Sequence, residues 1–218
     1  MSGRFVRVVL AAALVFPGCF FAAPFPAIAQ DSESESRDSI LLVAARHLND
    51  PNFARSVVLV MFPPDAGPSG VILNRPTSMT LRDIWPEPDK RHGRTDALYI
   101  GGPVEPDGLL FLFRMAPPPS RAWRATEDIY FSGDGQLLEK LLEQTDSIQQ
   151  QRFFAGYAGW ATGQLEWEIS RGDWHVLEVD PEIIYDTDPE TLWTRMYQRA
   201  TLLRASVSPL RSWLFAYR

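Results

Sequence analysis

The sequence predicts an α+β domain behind an export leader. Three observations carry this. The chain opens on basic, then apolar, then small residues; short Val-, Leu- and Phe-rich runs are separated by turn chemistry; and helical patterns interrupt those runs without regular strand–helix–strand alternation.

The leader is residues 1–29. Arg4 and Arg7 precede the apolar run 8–16, no acid stands before Asp31, and Ala27-Ile28-Ala29 is the small-x-small pattern a signal peptidase reads. Pro17-Gly18 cuts the run below the ~20 residues a spanning helix needs. Cleavage near Ala29 predicts a periplasmic or secreted protein. Gly18-Cys19 resembles the end of a lipoprotein signal, but apolar residues continue past the cysteine, so removal with the leader is preferred. The mature chain then has no thiol for a disulfide or a metal.

Residues 30–39, with the run DSESESRDS, form an acidic disordered spacer. The domain spans residues 40–200. Runs at 40–45 and 56–62 read as buried strands, with Asn49-Asp50-Pro51 as the turn between them. A third strand at 70–74 ends at Arg75-Pro76, because proline lacks the ladder N–H. Residues 80–85 suit one helical turn, and 98–100 and 109–113 read as strands. Leucines at 137, 138, 141 and 142 predict a helix over 136–144. A strand at 153–157 leads through glycines to a helix at 163–170, with Thr162 as its cap. A strand at 174–179 precedes a closing helix at 188–199, with Asp188 at the N-cap and Pro189 at N1. Residues 201–218 form a tail of mixed aromatic, leucine and arginine character.

Removing 29 of 218 residues leaves 189, a single-domain length, and takes two arginines but no acid, moving net charge from −6 to −8. Such an acidic chain is disfavoured as a nucleic-acid binder, and its only basic cluster, at 90–94, reads as a solvated loop. Membrane contact is expected only through the leader or the tail. The sequence does not read out an oligomeric state.

Three segments use residue types that are costly to place. Gly70-Val71-Ile72-Leu73-Asn74-Arg75-Pro76 puts an amide and a guanidinium at a strand end. Ile100-Gly101-Gly102-Pro103-Val104 needs either positive φ or a close approach of another chain. The third, GYAGWATGQLE from Gly156, runs from a strand through a glycine-rich turn into a helix. Together they resemble the AlgH (YqgE) family of bacterial proteins. The likeness falls on Asn74, Arg75 and Pro76; on Gly101, Gly102 and Pro103; and on Gly156, Tyr157, Gly159, Trp160, Gly163, Gln164, Leu165 and Glu166. Leu48-Asn49-Asp50-Pro51-Asn52-Phe53 adds to it, and Tyr185-Asp186 matches less sharply. The resemblance implies a mixed sheet with a small barrel-like core flanked by helices. It supplies no settled activity, only an association with transcriptional control. Most members look cytoplasmic, so the leader marks this chain as an exported variant.

The functional expectation is a cleft formed by Asn74, Arg75, Gly101, Gly102, Tyr157, Trp160 and Glu166. Arg75 would fork to a carboxylate or phosphate, with the aromatics as walls. The competing expectation is that Arg75 pairs with Glu166 and locks the loops. The third segment is neither a P-loop nor a proper dinucleotide fingerprint, and no G-x-S-x-G elbow occurs. His47, His92 and His175 lack ligand spacing, and Asp186-x-Asp188 lacks the rest of a calcium loop. No metal, zinc, haem, flavin or nucleotide cofactor is expected. The sequence favours a non-catalytic envelope domain binding a small anionic ligand or a protein partner. A hydrolase using Glu166 or Asp186 with Arg75, and a transcriptional regulator, are the alternatives.

Overall fold

A computed structural model of the chain describes residues 39–63, 66–84, 96–143 and 150–206. The leader, nearly all of the spacer, the basic cluster at 90–94 and the tail from residue 207 lie outside the described residues.

The strands run β1 (Ser39–Ala44), β2 (Val57–Met61), β3 (Ser69–Ile72), β4 (Pro76–Thr80), β5 (Ala97–Ile100), β6 (Val104–Arg114), β7 (Trp123–Arg124), β8 (Ile129–Ser132), β9 (Gln151–Gly159) and β10 (Trp174–Leu177). The helices are α1 (Leu81–Ile84), α2 (Gly135–Glu143), α3 (Gln164–Arg171), α4 (Pro181–Ile184) and α5 (Pro189–Ser206). The main path of the sheet is β10-β1-β2-β3-β9-β6-β8-β7, with β5 joining β9 and β4 joining β5. All pairings are antiparallel except β5 with β9, so this curled, barrel-like sheet is mixed. The fold is α+β.

Strand β9 is the spine. One side pairs with β6 along most of its length, while the other is shared between β5 near its start and β3 near its end. Because side chains alternate along strands, β1 and β2 feed two apolar clusters. Leu41, Val43, Leu59 and Met61 join Leu192, Met196 and Ala200 of α5; Ile40, Leu42, Val58 and Val60 join Leu165 of α3. A third cluster seats Leu138, Leu141 and Leu142 of α2 against Phe111, Phe113 and Phe153. Three helices thus cover three apolar faces, as their leucine spacing requires.

Several elements differ from the sequence-based expectation. The chain does not leave the sheet at Arg75-Pro76: β4 follows at once as an edge strand, where a proline without an N–H costs no ladder bond. Strands β7 and β8 and helix α4 are additional, and β6 begins five residues earlier than the apolar run. Thr162 does not cap α3. The N-cap is Gly163 in the left-handed region (φ 78°), with no side-chain cap bond, and the Gln164 side chain accepts the Ala161 N–H instead. Helix α5 continues through Ser206, so the first six residues of the expected tail are helical. Asp188 does cap α5, accepting from the Thr191 N–H at 3.3 Å and from the Thr191 hydroxyl.

Candidate functional site

The three glycine-bearing segments meet at one backbone junction on β9. The Gly101 N–H donates to the Ala155 carbonyl at 2.8 Å, and the Gly101 carbonyl accepts the Ile72 N–H at 2.9 Å. The Ile100 N–H donates to the Arg75 carbonyl at 2.9 Å, so the strand end carrying Asn74-Arg75 is tied to the Gly-Gly turn. Of the two possible reasons for Gly101-Gly102, close approach is the operative one. A Cβ at Gly101 would lie 2.1 Å from the Gly156 carbonyl oxygen, and one at Gly102 would lie 2.2 Å from the Tyr157 carbonyl carbon. Gly156 in turn has φ 68°, which favours glycine.

The seven expected residues divide by what already occupies them. Asn74 is fully engaged: its Oδ1 accepts the Val57 N–H at 2.8 Å and its Nδ2 donates to the Arg55 carbonyl at 3.0 Å. Gly101 and Gly102 are pressed against β9. Trp160 is a core residue, stacked with Phe53 at 6.3 Å and edge-on to Trp174 at 6.4 Å. Tyr157 is half-buried, its ring lying over Gly159. Glu166 is also half-buried, with Oε2 enclosed and lacking a hydrogen-bond partner.

Arg75 differs from these. Its guanidinium makes one 3.2 Å bond, from Nη2 to the Ala54 carbonyl, and among the described residues no carboxylate lies within 4.0 Å. Burial works against its charge, and the more distant Asp50 carboxylate partly eases that. Arg75 and Glu166 do not form the ion pair considered from the sequence. The exposed Arg55 follows Ala54 on the turn that accepts the Arg75 bond, and its guanidinium lies 5.7 Å from the Trp193 ring centroid. Two arginines therefore border one turn of an acidic protein.

Two side-chain groupings were not foreseen. Glu168 Oε2 accepts both indole N–H groups, Trp160 Nε1 and Trp174 Nε1, each at 2.9 Å, while its Oε1 accepts Gln164 Nε2 at 2.9 Å. Arg152, 7% exposed, donates to the carbonyls of Leu73 at 3.2 Å and Asp186 at 2.5 Å and lies 4.5 Å over the Tyr99 ring. One signal was available for Arg152, a cation directly before Phe153-Phe154 in an apolar strand. Glu168 reads in sequence as an ordinary solvated helix residue. Among the described residues, no group of three or more His, Cys, Asp or Glu is placed to hold a metal.

A family model described as AlgH-like matches residues 41–203. The chain belongs to the AlgH-like family. An UPF0301 protein of Thermobifida fusca is 37% identical over 169 residues, covering 73% of this chain and 84% of the relative. One from Streptomyces coelicolor is 36% identical over 176 residues, covering 77% and 89%. The solution structure of the AlgH protein from Pseudomonas aeruginosa superposes with a TM-score of 0.63 at 27% identity, over 83% of this chain and 99% of that one. A crystal structure of a protein from Corynebacterium diphtheriae gives 0.61 at 26% identity, over 79% and 87%. The AlgH-like domain thus covers all three glycine-bearing segments, and the junction they form is part of its fold.

Proposed function

We propose that this AlgH-like domain is an exported, non-catalytic binding domain that takes an anionic ligand at Arg75. The observation that carries this reading is the unspent guanidinium of Arg75. A half-buried cation with one long bond and, among the described residues, no near carboxylate has lost water without gaining a full set of acceptors, and a ligand carboxylate or phosphate supplies them in bidentate form. The glycines, Asn74 and Trp160 hold the strand end that presents it.

Of the acids a hydrolytic reading would use, Asp186 is otherwise engaged. Asp186 accepts the Asp188 N–H through Oδ1 at 2.8 Å and pairs with Arg195 through Oδ2 at 2.7 Å. Glu166 has one carboxylate oxygen enclosed. Export rests on the composition of residues 1–29, and intact mass of the envelope fraction tests it: cleavage near Ala29 is expected, and an intact N-terminus counts against envelope location.

The binding reading is tested by incubating the mature domain with a small-molecule extract, washing, and identifying released compounds by mass spectrometry for wild type and Arg75→Ala. Acid-bearing compounds retained by wild type and lost from a normally folded variant are the expected result. Equal retention on both, or none on either, refutes it.

A further inference from the structure

On the face of β9 that carries Arg152 and Phe154, two guanidinium groups converge on one phenol. Arg152 and Arg114 both act electrostatically on Tyr185, and the Arg114 guanidinium lies 5.8 Å from its ring centroid. The alignment of the strands explains this: Leu112 pairs with Arg152, so Arg114, two residues along β6, shares the face of Arg152. The segment carrying α4 brings Tyr185 over both.

The cluster has donors in excess of acceptors. The Tyr185 hydroxyl is enclosed and has no hydrogen-bond partner. Arg114 Nε, also enclosed, stands 2.9 Å from Asp128 Oδ2 but outside hydrogen-bond alignment. Arg152 is 7% exposed, and among the described residues no carboxylate lies within 4.0 Å of it; two backbone carbonyls and the Tyr99 ring contact it, and the Asp186 carboxylate acts on its charge from farther away. Buried polar groups are ordinarily satisfied and buried charges ordinarily paired, so a cation with no carboxylate in contact and an orphaned hydroxyl beside it call for an acceptor bearing negative charge, while Arg114 next to them is already ion-paired with Asp128. The cluster is reached from outside. The Arg114 side chain is 28% exposed, and the side chains of Asp128 and Glu182 beside it are 44% and 79% exposed.

We propose that Arg152, Tyr185 and Arg114 form a binding site for a small oxyanion, a carboxylate or a phosphate, entered from the side of Asp128. Asp128 occupies the place of the incoming group on Arg114 and acts on the Tyr185 phenol as well. It is therefore a competitor within the chain. Arg114 also meets Gln150 Oε1 at 2.6 Å and Glu182 Oε1 at 3.9 Å, so a ligand reaches its Nε by displacing Asp128. Aromatic and aliphatic side chains line the interior: Tyr99, Leu112 and Phe154 share the cluster beneath. A water-poor setting of this kind strengthens a charge-assisted bond. This inference does not rest on Arg75, which points to the turn at residues 50–55.

The test uses the mature protein in chloride-free buffer, titrated with acetate and separately with inorganic phosphate. The readout is the set of arginine Nε–Hε NMR signals, assigned by Arg152→Lys and Arg114→Lys. Saturable shifts of the Arg152 and Arg114 signals with one or both probes are expected. Tyr185→Phe weakens the apparent affinity by about tenfold, the scale of one charge-assisted hydrogen bond. Asp128→Asn, which removes the competitor, tightens it by a similar factor, and Arg75→Ala leaves it unchanged. Signals that fail to saturate with either probe overturn the proposal, as does an affinity unaffected by Tyr185→Phe or weakened by Asp128→Asn. Tyr185→Phe only removes an unpartnered hydroxyl, so its fold, checked by the same spectrum, is retained. If Arg75→Ala abolished these shifts while Tyr185→Phe did not, the anion would belong to the Arg75 rim alone.

Discussion

Replacing Glu168 by alanine removes the only acceptor shared by two buried indoles. Trp160 is 6% exposed and Trp174 2% exposed, and both indole N–H groups donate to the same carboxylate oxygen at 2.9 Å. An orphaned buried donor costs about 1–3 kcal/mol, so two cost about 2–6 kcal/mol if the site stays dry. Glu168 is itself half-buried, and water entering the space it vacates offsets part of this, which places the loss at about 2–4 kcal/mol. That is a large share of the ~5–15 kcal/mol typical of a whole domain. Urea unfolding followed by far-ultraviolet circular dichroism is the appropriate assay, because the substitution alters tryptophan fluorescence directly. With m of about 2 kcal/mol/M, the midpoint drops by about 1–2 M at constant m. Glu168→Gln keeps an oxygen that accepts both indoles and loses only the charge, so it falls between wild type and alanine. A midpoint shift below about 0.3 M for Glu168→Ala would refute the shared-acceptor reasoning.

The other predictions concern the junction and the pH response. Gly102→Ala sets a Cβ at 2.2–2.4 Å from the backbone of Tyr157 and Ala158, where neither strand yields cheaply; a loss of about 3 kcal/mol or more, or failure to fold, is expected in the same urea assay. Burial, followed by the charges of Arg204 and His47, lowers the proton affinity of His175 below the ordinary 6.5. The unfolded chain then takes up this proton first as pH falls through 6.5, so the His175 contribution is complete above that value and is lost on acidification; His175→Gln flattens this part of the stability–pH curve.

Strands β1 and β2 are legible in the sequence because both of their faces are buried, which leaves apolar runs at 40–45 and 57–62, and β9 shows through the aromatic-rich run at 153–157. Strand β4 is not. Pro76-Thr77-Ser78-Met79-Thr80 sits at an edge with most of its side chains exposed, and such a strand shows no apolar pattern. The Gly-Gly turn is legible as a place of either positive φ or close approach, but that it is the latter, with β9 as its partner, requires the fold. The seven-residue cleft was drawn from one surface's worth of unusual residues, and four of them turn out to be spent on the fold. Arg152 escaped notice because strand limits set by apolar runs start one residue after it. Glu168 escaped because nothing local distinguishes a carboxylate facing water from one facing two indoles, eight residues before it and six after, that only the fold brings together.

The division of labour at the junction, with glycines and Asn74 building it and Arg75 serving a ligand, is tested most directly by one paired measurement on Arg75→Ala. Its unfolding free energy and its ligand retention are determined on the same preparation. The 3.2 Å bond to the Ala54 carbonyl is long and half-exposed, so its loss costs about 1 kcal/mol or less. The account predicts that small change together with loss of the acid-bearing compounds that wild type retains. A loss of stability above about 2 kcal/mol with retention unchanged would contradict it, and would make Arg75 one more strut of the fold.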